Sequence, residues 1–374
     1  MILTEKIEAS DRLHERARAF VVAFETGQKM PEPFDQLACD IARFQVENVE
    51  GFARLVRARN LDPKTWTRAS EIPAVPTDAF KHARVSAFSE SETPITFRTS
   101  GTTIGARGAH PFRTTATYDA GALAFGRWGL IKSYDEISKI VVLGPSPTEL
   151  PDSSLTHMTD LFARTLATSY DPATTYFMED GVLDLARLDE VVARALVTNS
   201  GPLLVLGASF AMVHFLDAIG DAQFRLPAGS RVMQTGGFKG KSREVDAIAL
   251  LNDLTRVLCI EENDVVSEYG MTELSSQFYQ PTAHGAPRGI YGEPPWTRVI
   301  PVDGETLAPA LDGEIGIARI VDLLNVDSAV VVLAADRVKR VQGGFELAGR
   351  SPGAPPRGCS ITIEEMLDGH GRDN

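Results

Sequence analysis

Two segments of the chain combine glycine, hydroxyl and charged residues in patterns that suit chemistry on a nucleotide. The first is TSGTTIGARG at residues 99–108, where three glycines and four hydroxyl residues accompany Arg107. Backbone N–H groups of such a loop can approach an anion closely, the hydroxyls add donors, and the arginine adds a fixed positive charge. This composition suits a polyphosphate, although a polar surface turn has the same composition.

The second segment is SEYGMTE at residues 267–273, where an apolar strand ends in Tyr269 and Gly270. Ligands of open parallel sheets lie beyond the carboxyl ends of the strands, which is where this segment falls. Tyr269 is suited to stack on a base, Thr272 to bond a phosphate oxygen, and Glu273 to hold Mg²⁺. Capping of a helix N-terminus is the structural alternative for Thr272.

Two further segments resemble catalytic loops and fall short of them. VMQTGGFKGKS at residues 232–242 follows a strand as a Walker A loop would, but it is one residue too short for that motif. GASFA at residues 207–211 nearly matches a nucleophile elbow, with Ser209 as the nucleophile and His284 as a downstream base. A serine acyl hydrolase therefore stays open as an alternative function.

The elements that must position these segments follow from the hydrophobic pattern. Apolar spacings of three and four predict helices up to about residue 60, and short strands alternate with helices from about residue 140 to 269. This alternation predicts βαβ units and an α/β fold with a mainly parallel sheet. Ser242 is the expected N-cap of the last helix, with Glu244 in its first turn. After about Pro281 the pattern predicts strands of a smaller antiparallel element and no further helix.

Composition excludes several classes of function. The 374 residues hold 37 Lys and Arg against 50 Asp and Glu, a net charge of −13, which argues against binding to nucleic acid or an anionic membrane. No apolar run has the length of a membrane span, and the N-terminus lacks an apolar signal core. Three cysteines without a CxxC pair fit a reduced, cytoplasmic protein. We expect Cys39 and Cys259 in the core.

Taken together, the spacings resemble the acyl-adenylate-forming (ANL) superfamily of acyl-CoA synthetases, adenylation domains and luciferases. TSGTTIGARG is similar to the phosphate loop of that superfamily, YGMTE to its YGxTE motif, and QTGG at residues 234–237 to its adenine-binding glycines. Asp322 in RIVDLL is similar to the ribose-binding aspartate, and Gly349-Arg350 to the start of the hinge motif. The resemblance implies a multi-layered large-domain fold of mainly parallel sheets flanked by helices, with a small antiparallel β subdomain.

One branch, the LuxE-type acyl-protein synthetases, is similar over most of the chain, through FQVENVEGF, IPAVPTDAFK, GGFKG, GFELAGR and RGCSITIEE. The resemblance implies a helical N-terminal part at 1–90, an α/β adenylating core at 91–285 and a small β subdomain at 286–350. A short tail at 351–374 stands where relatives carry a mobile C-terminal domain. The chain departs from the superfamily at Ile104, at Arg107 in place of lysine, and in lacking a lysine after Lys339.

The site residues implied by the resemblance fall into three groups. Arg107, Thr272, Glu273 and Cys359 are the expected catalytic residues, with Glu273 on Mg²⁺. The expected ATP-binding residues are Thr99, Ser100, Gly101, Thr102, Thr103, Gly236, Gly237, Lys239, Tyr269, Gly270, Asp322 and Arg350. The expected acid pocket contains Ser209, Phe210, His214 and Phe238; for His214, a satisfied position in the core is the alternative.

The implied reaction is ATP-dependent activation of a carboxylic acid, followed by acyl transfer to a thiol. In LuxE-like proteins a cysteine near the C-terminus takes the acyl group and passes it to a reductase partner. Cys359 stands at that place, on an expected flexible loop beside Arg357. A passive Cys359 stays open, as do a homodimer, an aromatic carboxylate substrate in antibiotic (phenazine-type) biosynthesis, and a non-catalytic nucleotide-binding module.

Overall fold

A parallel sheet and an antiparallel sheet form in different parts of the chain. The computed structural model describes residues 3–100, 107–132, 136–236, 245–350 and 357–367. The chain divides into two units, the first made of Met1–Ala124, Met271–Ser276 and Gly289–Asn374. The second unit consists of Phe125–Gly270 and Gln277–Arg288.

The helices in the described residues are the following: α1 (Leu3–Glu25), α2 (Phe34–Asn48), α3 (Glu50–Ala58), α4 (Ala79–His82), α5 (Ala116–Leu130), α6 (Ser154–Thr165), α7 (Leu185–Thr198), α8 (Ser209–Ile219), α9 (Ala247–Leu258) and α10 (Arg357–Met366). The strands are β1 (Val75–Pro76), β2 (Ile95–Arg98), β3 (Ala109–Phe112), β4 (Lys139–Leu143), β5 (Met178–Glu179), β6 (Val182–Leu183), β7 (Leu203–Ala208), β8 (Arg231–Thr235), β9 (Val265–Tyr269), β10 (Phe278–Tyr279), β11 (Ile290–Tyr291), β12 (Thr297–Val302), β13 (Ile315–Asp322), β14 (Val331–Val341) and β15 (Gly344–Arg350).

The first unit contains a six-stranded sheet and the N-terminal helices. Its strands follow the order β11-β15-β14-β13-β12, all antiparallel, and β1 joins β14 in parallel. The apolar residues spaced three and four apart in α1 to α3 form the buried side of these helices, as at Phe20, Leu37, Ile41 and Phe52. A separate hairpin, β2 with β3, encloses the segment 99–108.

The second unit contains the predicted parallel sheet. Strands β4, β7, β8 and β9 are parallel in the order β9-β8-β7-β4, and β10 pairs antiparallel with β9 at the edge. Buried residues of α7, α8 and α9 cover one face, packing on Val205, Val232 and Val265. The carboxyl ends of β7, β8 and β9 therefore bring Ala208, Thr235 and Tyr269 to one edge of this sheet.

The α/β prediction is confirmed, and the antiparallel sheet has more strands than the parallel one. Two local predictions for the second unit are wrong. Helix α9 begins at Ala247 with Asp246 as its N-cap, whose carboxylate accepts from Ile248 N at 2.9 Å and Ala249 N at 3.2 Å. Ser242 and Glu244 lie outside the described residues and outside this helix. Cys259 is not in the core: it is the half-buried C-cap of α9, with φ of 56°.

The prediction that no helix follows Pro281 is also wrong, because α10 forms near the C-terminus. Thr362 and Met366, one helical turn apart, are both fully buried, and this spacing gives α10 a face to pack. Arg54 Nε donates to Met366 O at 2.8 Å, and Arg59 donates to Thr362 at 2.6 Å, which ties α10 to α3. Among the described residues no helix is both long and apolar enough to span a membrane.

Candidate active site

The segment 99–108 connects β2 and β3, and its first and last residues are hydrogen-bonded to each other, which we call the neck of the loop. Thr99 N donates to Gly108 O at 2.9 Å, and Gly108 N donates to the Thr99 hydroxyl at 2.8 Å. Arg107 folds back on the same neck, where Nε donates to Thr99 O at 2.7 Å and Nη2 to Arg98 O at 3.3 Å. Two guanidinium donors of Arg107 thus fix the base of the loop, next to exposed Ser100.

The other motif segment of this unit, Met271–Ser276, is irregular, so its backbone polar groups need side-chain partners. His110, two residues after the phosphate-loop segment, supplies one of them: its Nδ1 donates to the carbonyl of Thr272 at 2.7 Å. Its Nε2 in turn accepts from the hydroxyl of Ser328 at 2.8 Å. Thr272 caps no helix, because it lies inside a turn that is closed by the hydrogen bond from Leu274 N to Met271 O at 3.1 Å.

His110 holds these two hydrogen bonds as a neutral imidazole. It is buried, and burial lowers its pKa from 6.5 to about 4, against the opposing effect of the Thr272 carbonyl. A carbonyl can only accept, so the Nδ1–H tautomer is fixed and Nε2 is left as the acceptor. The ring also packs on Phe112, with centroids 4.2 Å apart. The bond to Thr272 therefore persists at any pH near neutrality.

Asp322 and Asn325 anchor the rest of the Met271–Ser276 segment. Asp322 is fully buried and accepts from Ser275 N at 2.9 Å, Ser276 Oγ at 2.7 Å and Leu324 N at 3.0 Å. Burial raises the pKa of its carboxyl to about 6, which these hydrogen bonds partly oppose. Asn325 Nδ2 donates to the carbonyl of Glu273 at 2.9 Å.

Residues of the N-terminal helices hydrogen-bond in turn to the loop that carries Asn325. The Gln45 amide donates to Asn325 O at 2.7 Å and Val326 O at 2.9 Å, and it accepts from Val330 N at 3.0 Å. His14 Nε2 lies 3.1 Å from the carboxylate of Asp327 in the same loop. The sequence offered Gln45 only as part of FQVENVEGF, and His110 and Asn325 stood in no motif that we identified.

Asp322, the expected ribose ligand, thus has both carboxylate oxygens engaged inside the first unit. A second carboxylate of that unit, Asp336 on β14, lies opposite Arg350 on β15 and accepts from its Nε at 3.2 Å. The Arg350 side chain is 73% exposed and that of Asp336 18%. Sequence reasoning missed Asp336, because a lone aspartate inside a strand pattern carries no distinguishing signal.

Glu273, the expected magnesium ligand, is a buried residue of the first unit. No cluster of three or more His, Cys, Asp or Glu side chains suited to a metal occurs among the residues that the structure describes. One carboxylate nevertheless suits Mg²⁺, which keeps most of its waters and takes its other ligands from substrate phosphates. The donor set thus fits a magnesium ion that arrives with a nucleotide.

In the second unit, the edge of the parallel sheet brings together several predicted residues. Tyr269 ends β9 and packs on Phe278, with ring centroids 5.8 Å apart, and Gly270 follows it. Gly236 follows β8 with φ of 66°, a conformation that favours glycine. Ser209 begins α8 directly after β7, and its hydroxyl lies 2.8 Å from the carbonyl of Gly236.

The other predicted pocket residues differ in exposure. Phe210 is half-buried and contacts His214 edge-on, with centroids 6.3 Å apart. His214 is exposed, so its alternative reading as a core histidine is wrong. The carboxyl of Glu268, a residue absent from the predicted site, is buried at the same edge, and burial raises its pKa to about 7, opposed by a hydrogen bond from Thr235.

The serine hydrolase alternative has the wrong hydrogen bonds. Ser209 is buried and its hydroxyl faces acceptors, Gln234 Oε1 at 3.1 Å and the carbonyl of Gly236. His284 Nε2 donates to Trp128 O at 2.6 Å, so that nitrogen carries a proton and cannot act as a base. The described part of the second unit shows no hydrogen bond between Ser209 and His284.

Several predicted residues lie outside the described part of the chain, namely Gly101, Thr102, Thr103, Gly237, Phe238 and Lys239. Cys359 falls in the first turn of α10, so its expected place on a flexible loop is wrong.

Comparisons with known proteins agree with this architecture. The 2-hydroxyisobutyryl-CoA ligase in complex with 2-HIB-AMP and CoA in the thioesterification state matches with a TM-score of 0.61 and 14% identity, over 84% of this chain and 68% of that one. Its open conformation matches with a TM-score of 0.58 and 12% identity, over 84% and 74%. ATP-bound MatB from Rhodopseudomonas palustris matches with a TM-score of 0.47 and 14% identity, over 71% of this chain.

The two matches to 2-hydroxyisobutyryl-CoA ligase show the fold of acyl-adenylate-forming (ANL) ligases. This chain spans about half of the length of MatB, 49%. No curated protein matches the sequence. The family model described as "Acyl-protein synthetase, LuxE" matches residues 15–367, nearly the whole chain. The chain therefore belongs to the LuxE acyl-protein synthetase family.

Proposed function

We propose that the protein activates a carboxylic acid with ATP and transfers the acyl group to a protein thiol for reduction to an aldehyde or alcohol. A carboxylate oxygen attacks the α-phosphorus of ATP, pyrophosphate leaves, and an acyl-adenylate forms. A thiolate then attacks the acyl carbonyl, and AMP leaves with the bonding electron pair. The first step asks the protein mainly to position two anions and to offset the charge that develops between them.

One observation carries the first step. His110 lies two residues after the phosphate-loop segment and donates to the carbonyl of Thr272. The two motif segments of the first unit are therefore joined by a buried hydrogen bond. Thr272 and Glu273 are thereby held at a fixed distance from the neck of the loop at Thr99. A polar surface turn, the alternative reading of the loop, needs no such tie.

The roles of the loop residues follow from this arrangement. Thr99, Ser100 and Arg107, with Gly101, Thr102 and Thr103, would bind the phosphates of ATP, and Thr272 would bond the α-phosphate. Arg107 would contribute its fixed positive charge from the neck, where Nε and Nη2 donate to Thr99 O and Arg98 O. Glu273 would hold Mg²⁺, which when bound neutralises phosphate charge. Lys239 would add a second positive charge.

The remaining nucleotide contacts concern the adenine and the ribose. Tyr269, Gly270, Gly236 and Gly237 would surround the adenine at the edge of the parallel sheet. For the ribose hydroxyls, Asp336 is better suited than Asp322. Both carboxylate oxygens of Asp322 accept from backbone and serine donors, whereas Asp336 is partly exposed, at 18%, and lies beside the exposed Arg350.

The test is ATP–pyrophosphate exchange that depends on added carboxylic acid, measured over a panel of fatty and aromatic acids. Arg107→Ala should lower the exchange rate about 100-fold, the size of effect of a lost charge-stabilising donor, and Arg107→Lys should retain most of it. An unchanged rate in Arg107→Ala would refute the assignment. Binding of ATP without acid-dependent exchange would instead establish the non-catalytic module.

Acyl transfer involves Cys359 or a reductase partner with a catalytic thiol. Position 359 lies in the first turn of α10, and the other end of that helix is tied to α3 by Arg54 and Arg59. Intact mass after incubation with ATP and acid should show a hydroxylamine-labile acyl adduct that Cys359→Ser lacks. An adduct that persists in Cys359→Ser, or none at all, would reject Cys359 as the acyl carrier.

A further inference from the structure

The carboxyl edge of the parallel sheet presents two different faces. Because β-strand side chains alternate, and β8 pairs with β9 through Gln234–Ser267 and Thr235–Glu268, these two pairs point to opposite faces. Tyr279 of β10 pairs with Glu268 and shares its face. Tyr269, the residue expected to stack on adenine, is on the face of Ser267.

The face with Gln234 is filled by the protein itself. Gln234 Nε2 donates to Ser267 Oγ at 2.9 Å, and the Ser209 hydroxyl lies 3.1 Å from Gln234 Oε1 and 2.8 Å from Gly236 O. Ser209 is one of the four residues that we expected to line the acid pocket. Its hydroxyl is already engaged in this network, which makes it a poor group for selecting an acid.

The opposite face carries a carboxyl group with one free oxygen. Glu268 is 6% exposed, and its Oε2 accepts from the Thr235 hydroxyl. Its Oε1 accepts no hydrogen bond from any residue in the described part of the chain. This oxygen is not completely enclosed by the protein. That oxygen packs over Gly270, where a Cβ atom would collide with it.

The residues next to Thr235 and Glu268 on the same face of β8 and β9 are apolar. Met233 and Val266 lie on the same face of the sheet and are fully buried, and Tyr279 packs against Phe125 with centroids 5.9 Å apart. A carboxyl group is costly in such a place unless a partner binds it. An alkyl chain or an unsubstituted ring laid against it would leave the free oxygen unpaired.

We infer that Glu268 selects the carboxylic acid: its free oxygen takes a hydrogen bond from an amino or hydroxyl group on the acid that the enzyme activates. This inference rests on the proposed function and adds the chemical class of its substrate. A buried unpaired acceptor lowers the fit of an acid without a donor by about 10- to 100-fold. The 6-amino group of adenine offers the same chemistry, but the nucleotide is expected on the other face, with Tyr269.

The experiment measures kcat/KM for acid-dependent pyrophosphate exchange with matched acids: benzoate against 3- and 4-aminobenzoate and the hydroxybenzoates, and hexanoate against 6-aminohexanoate. The wild-type protein should prefer an acid with a donor by at least about 10-fold. Glu268→Leu should bring that ratio close to one. Glu268→Gln, which keeps an acceptor oxygen and the side-chain size, should retain the preference for the hydroxyl acids. Glu261→Leu, at an exposed glutamate of the same unit, is the matched control.

A second arm separates the acid from the nucleotide by replacing ATP with purine riboside triphosphate, which lacks the 6-amino group. If Glu268→Leu abolishes discrimination between these nucleotides and leaves the acid ratio unchanged, the donor is on adenine and the inference is wrong. It is equally wrong if wild-type protein uses plain and donor-bearing acids alike, while the proposed function stands. Should Glu268→Leu fail to fold, the wild-type ratio and Glu268→Gln decide. If none of the acids tested supports pyrophosphate exchange, the proposed function is wrong and so is the inference.

Discussion

Replacing His110 by alanine removes both hydrogen bonds that join the phosphate-loop hairpin to Thr272 and Ser328. The carbonyl of Thr272 and the hydroxyl of Ser328 would remain buried without this partner. Each unpaired group costs about 1–3 kcal/mol, so we expect His110→Ala to lower the free energy of unfolding by about 3 kcal/mol. His110→Asn keeps a donor near the position of Nδ1 and should lose about half of that.

The effect on activity should exceed the effect of destabilisation alone. Thr272 would no longer be fixed relative to Arg107, and a misplacement of about 1 Å can cost about 100-fold in rate. We expect kcat for pyrophosphate exchange to fall between 10- and 100-fold in His110→Ala, measured where circular dichroism shows the variant folded. His110→Asn should recover most of the rate.

His14→Asn is the matched control, because His14 is also a buried histidine of the first unit and bonds Asp327 and Thr117 rather than Thr272. It should lower stability and leave kcat within about 3-fold of wild type, since it touches neither motif segment. A folded His110→Ala protein with wild-type kcat would refute the positioning argument. So would a loss of rate as large in His14→Asn.

Three further results are expected. His110 has a pKa of about 4 in the folded protein against about 6.5 in the unfolded chain, so between these values only the unfolded chain gains a proton and stability falls as pH falls. Between pH 6.5 and 5, wild type should therefore lose about 1.5 kcal/mol more of its free energy of unfolding than His110→Asn, measured by denaturant titration. An equal dependence of stability on pH in the two proteins would contradict this. Asp322→Asn should destabilise the protein by about 2–3 kcal/mol because its amide would face donors, whereas Asp336→Asn should leave thermal stability unchanged and raise the KM for ATP about 10-fold; the reverse pattern would return the ribose to Asp322. Gln45→Leu should lower the free energy of unfolding by at least about 3 kcal/mol, since three buried backbone groups lose their partner, and a loss below 1 kcal/mol would contradict that role.

The sequence predicted the elements whose burial has a regular period. Strands β4, β7, β8 and β9 are short apolar runs, and α1 to α3 show apolar residues every third or fourth position, so local pattern and tertiary burial agree. The start of α9 was misplaced because Ser242 and Asp246 are both good N-caps, and only tertiary packing selects between them. Helix α10 was missed because a Pro/Gly-rich run precedes it and because, where its burial is described (residues 360–366), the fully buried residues are Thr362 and Met366.

The site itself was predictable at its motifs and not at their supports. Glycine, hydroxyl and carboxylate spacing singled out the segments around Arg107 and Thr272, because those residue types serve chemistry wherever the fold places them. The hydrogen bonds of His110 to Thr272, of Asn325 to Glu273 and of Gln45 to Val330 join residues 162, 52 and 285 positions apart. No local pattern encodes such a pairing, and a buried histidine or glutamine looks the same in sequence as an exposed one.

The burial of these polar side chains has one physical reason. A parallel strand satisfies its own backbone through its neighbours, but the segment after β9 leaves the sheet at Gly270 and continues as irregular chain. Its carbonyls at Thr272 and Glu273 then need donors, which His110 and Asn325 provide. An irregular segment held in this way can keep its side chains directed toward a ligand without a helix or strand behind them. We therefore expect changes in these donors to lower the rate as well as the stability, whereas changes in ordinary core residues lower the stability alone.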